Sequence, residues 1–194
     1  MPPIEIGQPA PSFRLASGQG PAVSLDDYRG RSNVLLWFTK GMGCPFCRSQ
    51  MSQLARGYDR LKARDAEVLQ VTPTPTDRAA FYVRSFKIPF TYLCDPDYRV
   101  HRQWGLDIRS HSLAWYARTV YAATKMSPPP SDLGRPPASL VDLKTNLHDS
   151  DTGFFLIDRK GVVRYLTSGP YVSEHGIRGI PSTDEIVREL ERAG

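Results

Sequence analysis

Apolar residues recur along this chain with two different spacings, and the change of spacing separates predicted strands from predicted helices. Val34 to Phe38 is an unbroken apolar run, partly β-branched and aromatic, which predicts a buried strand. From Pro45 to Leu61, apolar residues recur mostly at three- and four-residue intervals, which predicts an amphipathic helix. Gly41 to Cys44 lies between these two patterns and predicts a tight loop from strand to helix.

The same criteria extend to most of the chain. Strands that alternate with helices predict an α/β fold, with a central mixed β-sheet covered by helices on both faces. Further strands are predicted at 13–15, 67–72, 90–94, 154–158 and 162–166, and further helices at 77–87, 95–104 and 183–192.

Residues 109–151 interrupt this alternation. Leu113, Tyr116, Val120 and Tyr121 have the spacing of one more helix. The segment from 126 to 138 then contains five prolines, which excludes regular structure there. We therefore expect an inserted helix and a Pro-rich loop, which serve either as a lid or dimer contact or as a surface excursion without a special function.

Length, composition and charge indicate which classes of protein this chain can belong to. With 194 residues, 40% hydrophobic and 23% charged, the chain is long and apolar enough to fold as one domain. The longest stretch without a charged residue is eleven residues, so we expect no membrane-spanning helix. The net charge of +5 is scattered, which argues against a nucleic-acid patch. No basic segment precedes an apolar run at the N-terminus, so a cytoplasmic location is expected.

Two of the three cysteines form a C-x-x-C motif, Cys44-Pro45-Phe46-Cys47, at the predicted junction of strand and helix. Proline is favoured at the first helical position, which places Cys44 at the N-cap and Cys47 at N3. The N–H groups and the dipole of this turn stabilise a thiolate, the reactive form of cysteine, and Lys40 and Arg48 add positive charge. This placement is typical of a thioredoxin-like redox motif.

Other uses of the pair are weaker. Zinc needs about four ligands, and no second close pair exists; haem attachment needs a histidine where Arg48 stands, so we expect no metal and no organic cofactor. The pair could also be two small core residues.

Cys94 is either a buried structural residue or a third redox cysteine. The four histidines belong to no motif, and we expect surface or capped side chains at His101, His111, His148 and His175.

Five segments, taken in order, resemble the peroxiredoxin-like branch of the alkyl hydroperoxide reductase C and thiol-specific antioxidant (AhpC/TSA) family, which has a thioredoxin-like fold. They are Ile6–Leu15, with the pattern G-x-x-A-P-x-F-x-L, Ser24–Gly30, Val34–Phe38, Asp95–Leu106 and Phe155–Tyr165. The resemblance implies a single thioredoxin-like (redoxin) domain over residues 1–194, with the insertion 109–151 inside it.

The resemblance also assigns family positions around the motif. Counted from Phe38, Cys47 occupies the position of the cysteine that attacks peroxide, and Cys44 the position of a family threonine. Lys40 stands where the family has proline, and Thr152 stands where it has an arginine that helps to hold the peroxide. The chain thus resembles the family at the attacking cysteine and departs from it at three supporting positions.

Two enzymatic hypotheses follow. As a peroxidase, Cys47 would attack a peroxide, and Cys44 or an external thiol would resolve the sulfenic acid. As a disulfide reductase, Cys44 would attack a disulfide and Cys47 would resolve the mixed disulfide. Electrons would come from a thioredoxin, a glutaredoxin or a small thiol, and a homodimer is expected by family analogy. A third hypothesis is a redox-inert adaptor that binds a partner through the insertion.

Overall fold

A computed structural model describes residues 4–110, 112, 114, 131–137, 139–140, 142, 148–170, 172–173 and 176–193. Its helices and strands follow the predicted alternation. The strands are β1 (Arg14–Ser17), β2 (Gly20–Ser24), β3 (Asn33–Phe38), β4 (Ala66–Thr72), β5 (Thr91–Cys94), β6 (Ile108–Ser110), β7 (His148–Ser150), β8 (Thr152–Ile157), β9 (Val163–Gly169), β10 (Val172–Ser173) and β11 (Gly176–Ile177). The helices are α1 (Pro45–Lys62), α2 (Thr76–Phe86), α3 (Arg99–Gln103) and α4 (Thr183–Ala193), with a 3-10 turn at Leu25–Tyr28.

Seven strands form one mixed sheet in the order β2-β1-β5-β4-β3-β8-β9. The three central strands β5, β4 and β3 run parallel, because α1 and α2 carry the chain back between them. β8 pairs antiparallel with β3 on one side, and β1 pairs antiparallel with β5 on the other. The carboxyl ends of the parallel strands therefore meet at a single edge, where α1 begins.

Both faces of the sheet are buried, as the continuous apolar strands predict. Helices α1, α2 and α4 pack on one face through Met51, Leu54, Tyr82 and Ile186. The other face is covered by the N-terminal segment and by α3, with Trp104 packed edge-on against Phe155. This arrangement confirms the predicted α/β class with a central mixed sheet flanked by helices.

The predicted hairpin near residue 160 is present and is fixed by one carboxylate. Asp158 accepts hydrogen bonds from the backbone N–H groups of Lys160 and Val162, both at 2.9 Å, and from Nε of Arg164 at 2.7 Å. Gly161 has a φ of +79°, a value that favours glycine. Burial opposes the ionisation of Asp158, but these N–H groups and the guanidinium together lower the pKa of its carboxyl group.

The predicted helix at 95–104 is wrong in extent, since α3 spans only Arg99–Gln103. Tyr98 has a left-handed backbone with φ of +55°, which stops a helix from starting earlier. Asp95 lies outside the helix and accepts the N–H groups of Val100 and His101, both at 2.9 Å. It also contacts Nδ1 of His101 at 2.7 Å, so of the two alternatives predicted for His101, a surface or a capped side chain, the structure shows the second: this side chain is fully buried and capped by a carboxylate.

The insertion begins and ends in a pair of short strands that the sequence did not predict. β6 and β7 pair antiparallel, with Arg109 opposite Asp149. The predicted helix through Leu113, Tyr116, Val120 and Tyr121 lies outside the described residues, as do His111 and His175. Within the described part of the Pro-rich loop, residues 131–137 form neither helix nor strand. None of the described helices has the length and apolar content that crossing a bilayer requires.

Candidate active site

The C-x-x-C motif lies at the edge where the parallel strands end. Strand β3 stops at Phe38, and the N–H of Thr39 still reaches the carbonyl of Val71 at the end of β4, at 3.0 Å. The chain then turns through Gly41, with φ of +79°, and enters α1 at Pro45. Ligands of open α/β sheets bind at this carboxyl edge, so the motif occupies the position where chemistry is expected.

Cys44 is the N-cap of α1, as the sequence predicts. Its backbone is extended, and its sulfur accepts the N–H of Cys47 with N···S of 3.5 Å. Its carbonyl accepts the N–H of Arg48 at 3.1 Å, the first bond of the helix. A sulfur that receives an N–H bond at the positive end of an 18-residue helix is stabilised in its anionic form.

The two sulfur-bearing residues differ in their access to solvent. Cys44 is 7% exposed, whereas Cys47 is fully buried at 0%. They pack together with Phe46, which is partly buried. An oxidant that attacks at Cys47 must therefore be small or must displace the covering side chains, and a bulky partner reaches Cys44 first.

Arg48 brings a positive charge to the sulfurs. Its Nη1 donates a hydrogen bond to the carbonyl of Met42 at 2.8 Å, which ties the guanidinium to the loop before the motif. Burial lowers the pKa of Arg48, while the negative charges of Cys44 and Cys47 raise it. The interaction is mutual, so this guanidinium favours the thiolate at both positions.

The other two predicted supporting residues, Thr152 and Lys40, lie on the same edge of the sheet. Thr152 begins β8 and is buried, and its hydroxyl donates to the carbonyl of Phe38 at 2.8 Å. It therefore holds the end of β3, directly before the loop that leads to the motif. Lys40 is half-buried in the loop between Phe38 and Gly41.

Below the loop lies a polar contact that the sequence did not reveal. The hydroxyl of Tyr92, from β5, accepts the N–H of Met42 at 3.4 Å and shares a hydrogen bond with the hydroxyl of Thr74 at 3.1 Å. Tyr92 is fully buried, and burial raises the pKa of its hydroxyl to about 12. Tyr92 lies in a predicted strand and Thr74 lies just after one, but no pattern in the sequence indicates that the two side chains meet beneath the loop.

Part of the insertion packs along α1 beside the motif. The hydroxyl of Ser131 donates to the carbonyl of Arg48 at 3.1 Å, and the N–H of Asp132 donates to the hydroxyl of Ser52 at 3.0 Å. Further along, Asp142 pairs with Arg78 of α2 at 2.8 Å and accepts the hydroxyl of the neighbouring Tyr82. The insertion is thus anchored to both helices next to the candidate site.

Cys94 lies at the end of β5 in the core and contributes no described contact to the motif. Burial raises the pKa of its thiol to about 11, which keeps it protonated and unreactive at neutral pH. These surroundings agree with a structural residue. Among the residues that the structure describes, no group of three or more His, Cys, Asp or Glu side chains is arranged to hold a metal ion.

Comparison with known proteins shows which family and which relatives have a similar sequence. The model of the AhpC/TSA family matches residues 6–166. The chain is 31% identical over 106 residues to bcp of Haemophilus influenzae, named as a peroxiredoxin, a match covering 55% of this chain and 68% of that protein. It is 31% identical over 103 residues to chloroplastic peroxiredoxin Q of Oryza sativa subsp. japonica, covering 53% of this chain and 47% of that one.

A solved structure extends the similarity to the whole fold. The crystal structure of peroxidoxin BcpB from Mycobacterium tuberculosis superposes with a TM-score of 0.66 at 16% identity, covering 98% of this chain and 99% of that one. At this level of identity the superposition shows a shared fold.

Proposed function

The chain belongs to the AhpC/TSA family, and from that premise we propose that it is a thiol-dependent peroxidase that uses Cys44 and Cys47. The family match and the peroxiredoxin relatives confirm the predicted family, and the superposition confirms the thioredoxin-like fold. They also confirm the predicted enzyme class, a thiol-dependent oxidoreductase. The order in which the two cysteines act, the electron donor and a homodimer remain proposals.

In the first step, the thiolate of Cys47 attacks one oxygen of a peroxide. A sulfur–oxygen bond forms as the oxygen–oxygen bond breaks, and the leaving oxygen takes a proton and departs as water or an alcohol. The sulfur is oxidised to a sulfenic acid and the peroxide is reduced. Arg48 supports this step, because it lies beside both sulfurs and favours the anionic form of the nucleophile.

In the second step, the thiolate of Cys44 attacks the sulfur of Cys47. A disulfide forms, the sulfur–oxygen bond breaks, and hydroxide leaves as water after it gains a proton. Cys44 is suited to this role because its sulfur already lies 3.5 Å from the backbone nitrogen of Cys47, in the same helical turn. Two thiols of a thioredoxin, a glutaredoxin or a small reductant then return the pair to the dithiol by exchange.

The observation that carries the proposal is the placement of Cys47. It occupies the family position of the attacking cysteine, sits in the first turn of an 18-residue helix and is fully buried beside Arg48. A thiolate buried in this way can be reached by a small oxidant after a small movement of the covering side chains, whereas a bulky thiol would require a much larger one. That selectivity suits peroxide reduction better than exchange with protein disulfides.

One observation favours a second function, disulfide exchange initiated by Cys44. Cys44 is the more exposed of the pair, and its sulfur accepts the N–H bond that stabilises a thiolate. In this mechanism Cys44 attacks a substrate disulfide, and Cys47 then resolves the mixed disulfide. The same dithiol would be regenerated by the same classes of reductant.

Stopped-flow tryptophan fluorescence separates the two functions. The reduced protein is mixed with hydrogen peroxide or with a model disulfide, and Trp37, in the strand before the loop, reports the reaction. We expect rapid peroxide oxidation that persists in Cys44→Ser and is lost in Cys47→Ser, with Cys94→Ser as the matched control. Failure to react with peroxide, together with disulfide reduction that is lost in Cys44→Ser, would establish the second function instead.

A further inference from the structure

The loop before the motif rests on the hydroxyl of Tyr92. This hydroxyl accepts the N–H of Met42 at 3.4 Å and is bonded to the hydroxyl of Thr74 at 3.1 Å. A methyl group built on Gly41 would overlap the Tyr92 oxygen and come within 3.1 Å of Oγ1 of Thr74. The loop therefore lies in direct contact with this pair, and only glycine leaves room for it.

The contact is built by the topology of the sheet. Tyr92 lies opposite Gln70 in the parallel pair of β5 and β4, and its side chain points to the face on which α1 packs. Thr74 follows the end of β4, and the N–H of Thr74 is held by the hydroxyl of Thr72 at 3.2 Å. One partner of the loop thus lies in a central strand, and the other lies two residues beyond the end of the neighbouring central strand.

Two further hydrogen bonds connect this loop to the residues of the motif. The carbonyl of Gly41 accepts the N–H of Cys44 at 3.2 Å, and the carbonyl of Met42 accepts Nη1 of Arg48 at 2.8 Å. A displacement of the peptide between Gly41 and Met42 therefore moves the N-cap cysteine and the guanidinium together.

We propose that Tyr92 is a positioning residue: its hydroxyl, held by Thr74 beneath Gly41 and Met42, fixes the loop in the arrangement that presents the dithiol for oxidation. In this role Tyr92 acts on the reacting sulfurs through the loop. The effect on peroxide rests on the proposed function, whereas the effect on the dithiol–disulfide equilibrium does not.

The first test compares Tyr92→Phe and Thr74→Val with the wild type. Two quantities are measured: the rate constant for oxidation by hydrogen peroxide, and the dithiol–disulfide equilibrium of the Cys44–Cys47 pair against reduced and oxidised dithiothreitol. We expect Tyr92→Phe to slow oxidation and to shift the equilibrium toward the disulfide, each by about two- to tenfold, the equivalent of one neutral hydrogen bond. Thr74→Val should act in the same direction with a smaller effect, and it provides the test if Tyr92→Phe does not fold.

Tyr58→Phe is the matched control. The Tyr58 hydroxyl also donates to a partner inside the fold, Oε2 of Glu67 at 2.9 Å. Tyr58 follows Cys47 by eleven residues of α1, which places it about 16 Å along the helix from the motif. We expect this variant to lose stability without a change in rate or equilibrium.

A double-mutant cycle with Gly41→Ala tests the contact itself. The left-handed backbone strains alanine at this position in any background, but the overlap with the hydroxyl disappears in Tyr92→Phe. Gly41→Ala should therefore perturb the dithiol–disulfide equilibrium less in Tyr92→Phe than in the wild type, so that the two changes are not additive.

The outcomes separate the two proposals. Shifts in Tyr92→Phe that are absent in Tyr58→Phe, with a non-additive cycle, establish Tyr92 as a positioning residue. If Tyr92→Phe matches Tyr58→Phe in both quantities and the cycle is additive, the positioning role is refuted. If the wild type does not react with peroxide but the equilibrium still shifts in Tyr92→Phe, the positioning role stands and the peroxidase proposal fails.

Discussion

Replacing Arg48 by methionine tests whether one guanidinium controls the reactivity of the motif. Methionine keeps much of the side-chain volume and removes the charge. It also removes the hydrogen bond from Nη1 to the carbonyl of Met42 at 2.8 Å. We expect the thiolate fraction of the motif to fall, because the burial of Arg48 beside Cys44 and Cys47 couples its charge to both sulfurs.

The magnitude follows from Coulomb's law. Two unit charges about 4 Å apart interact by about 4 kcal/mol at an effective dielectric constant of about 20, and by less at a larger separation. Arg48 is only half-buried, and solvent screening reduces this energy to about 1.4 kcal/mol, which corresponds to about one pH unit. The loss of positive charge disfavours the thiolate, so the midpoint of reaction with iodoacetamide as a function of pH should rise by about one unit.

The assay is the rate of alkylation of the reduced protein across a series of pH values, with labelled peptides identified by mass spectrometry. Arg48→Lys keeps the charge but not the planar fork, and it should shift the midpoint less. Arg56→Met is the matched control. Arg56 lies on the same helix, and its guanidinium pairs with Asp132 at the surface. If Arg48→Met and Arg56→Met give the same midpoint, the electrostatic role of Arg48 is refuted.

Three further predictions concern the turn between β8 and β9, the insertion and Cys94. Asp158→Ala should lower the free energy of unfolding in urea by about 2 kcal/mol at neutral pH. The pKa of Asp158 is lowered in the fold, so this difference should persist above an unfolded value of about 3.9 and disappear as the pH falls below it. Asp142→Asn should weaken the contacts with Arg78 and Tyr82, and limited proteolysis should then cut the insertion faster than in the wild type. Cys94, with its pKa raised to about 11, should resist iodoacetamide at neutral pH in the native protein and react in urea, as peptide mapping would show.

Local sequence patterns were sufficient where the structure depends on neighbouring residues. The apolar run Val34–Phe38 became the central strand β3, since a strand that is buried on both faces carries no polar alternation. Pro45 marked the first position of α1 and thereby placed Cys44 at the N-cap. The proximity of the two cysteines was predictable because both lie within one helical turn.

Prediction failed where one residue or a distant pairing decides the structure. The periodicity between Asp95 and Trp104 is helical, but the left-handed backbone of Tyr98 delays the helix. Strands β6 and β7 contain three residues each and join positions about forty apart, so neither carries a pattern of its own.

The support beneath the motif was not predictable for a related reason. Tyr92 follows Met42 by fifty residues, and their contact requires knowing that β5 lies next to β4 and that β4 lies next to β3. A sequence pattern predicts strands but does not specify their order in the sheet. The two cysteines that we propose to react were thus evident from the sequence, whereas the residue that we propose to position them was not.

The departures from the family pattern change which element supplies positive charge to the site. Thr152, which we predicted from the sequence to stand in the position of a family arginine, donates its hydroxyl to the carbonyl of Phe38 and brings no charge to the site. The charge shown beside the sulfurs comes instead from Arg48, on the helix that carries Cys47. In the mechanism that we propose, nucleophile, resolving thiol and cation are therefore all borne by the first turn of α1 and its N-cap. The loop at Gly41 and Met42 connects the sheet to this turn, so changes in that loop should affect all three groups together.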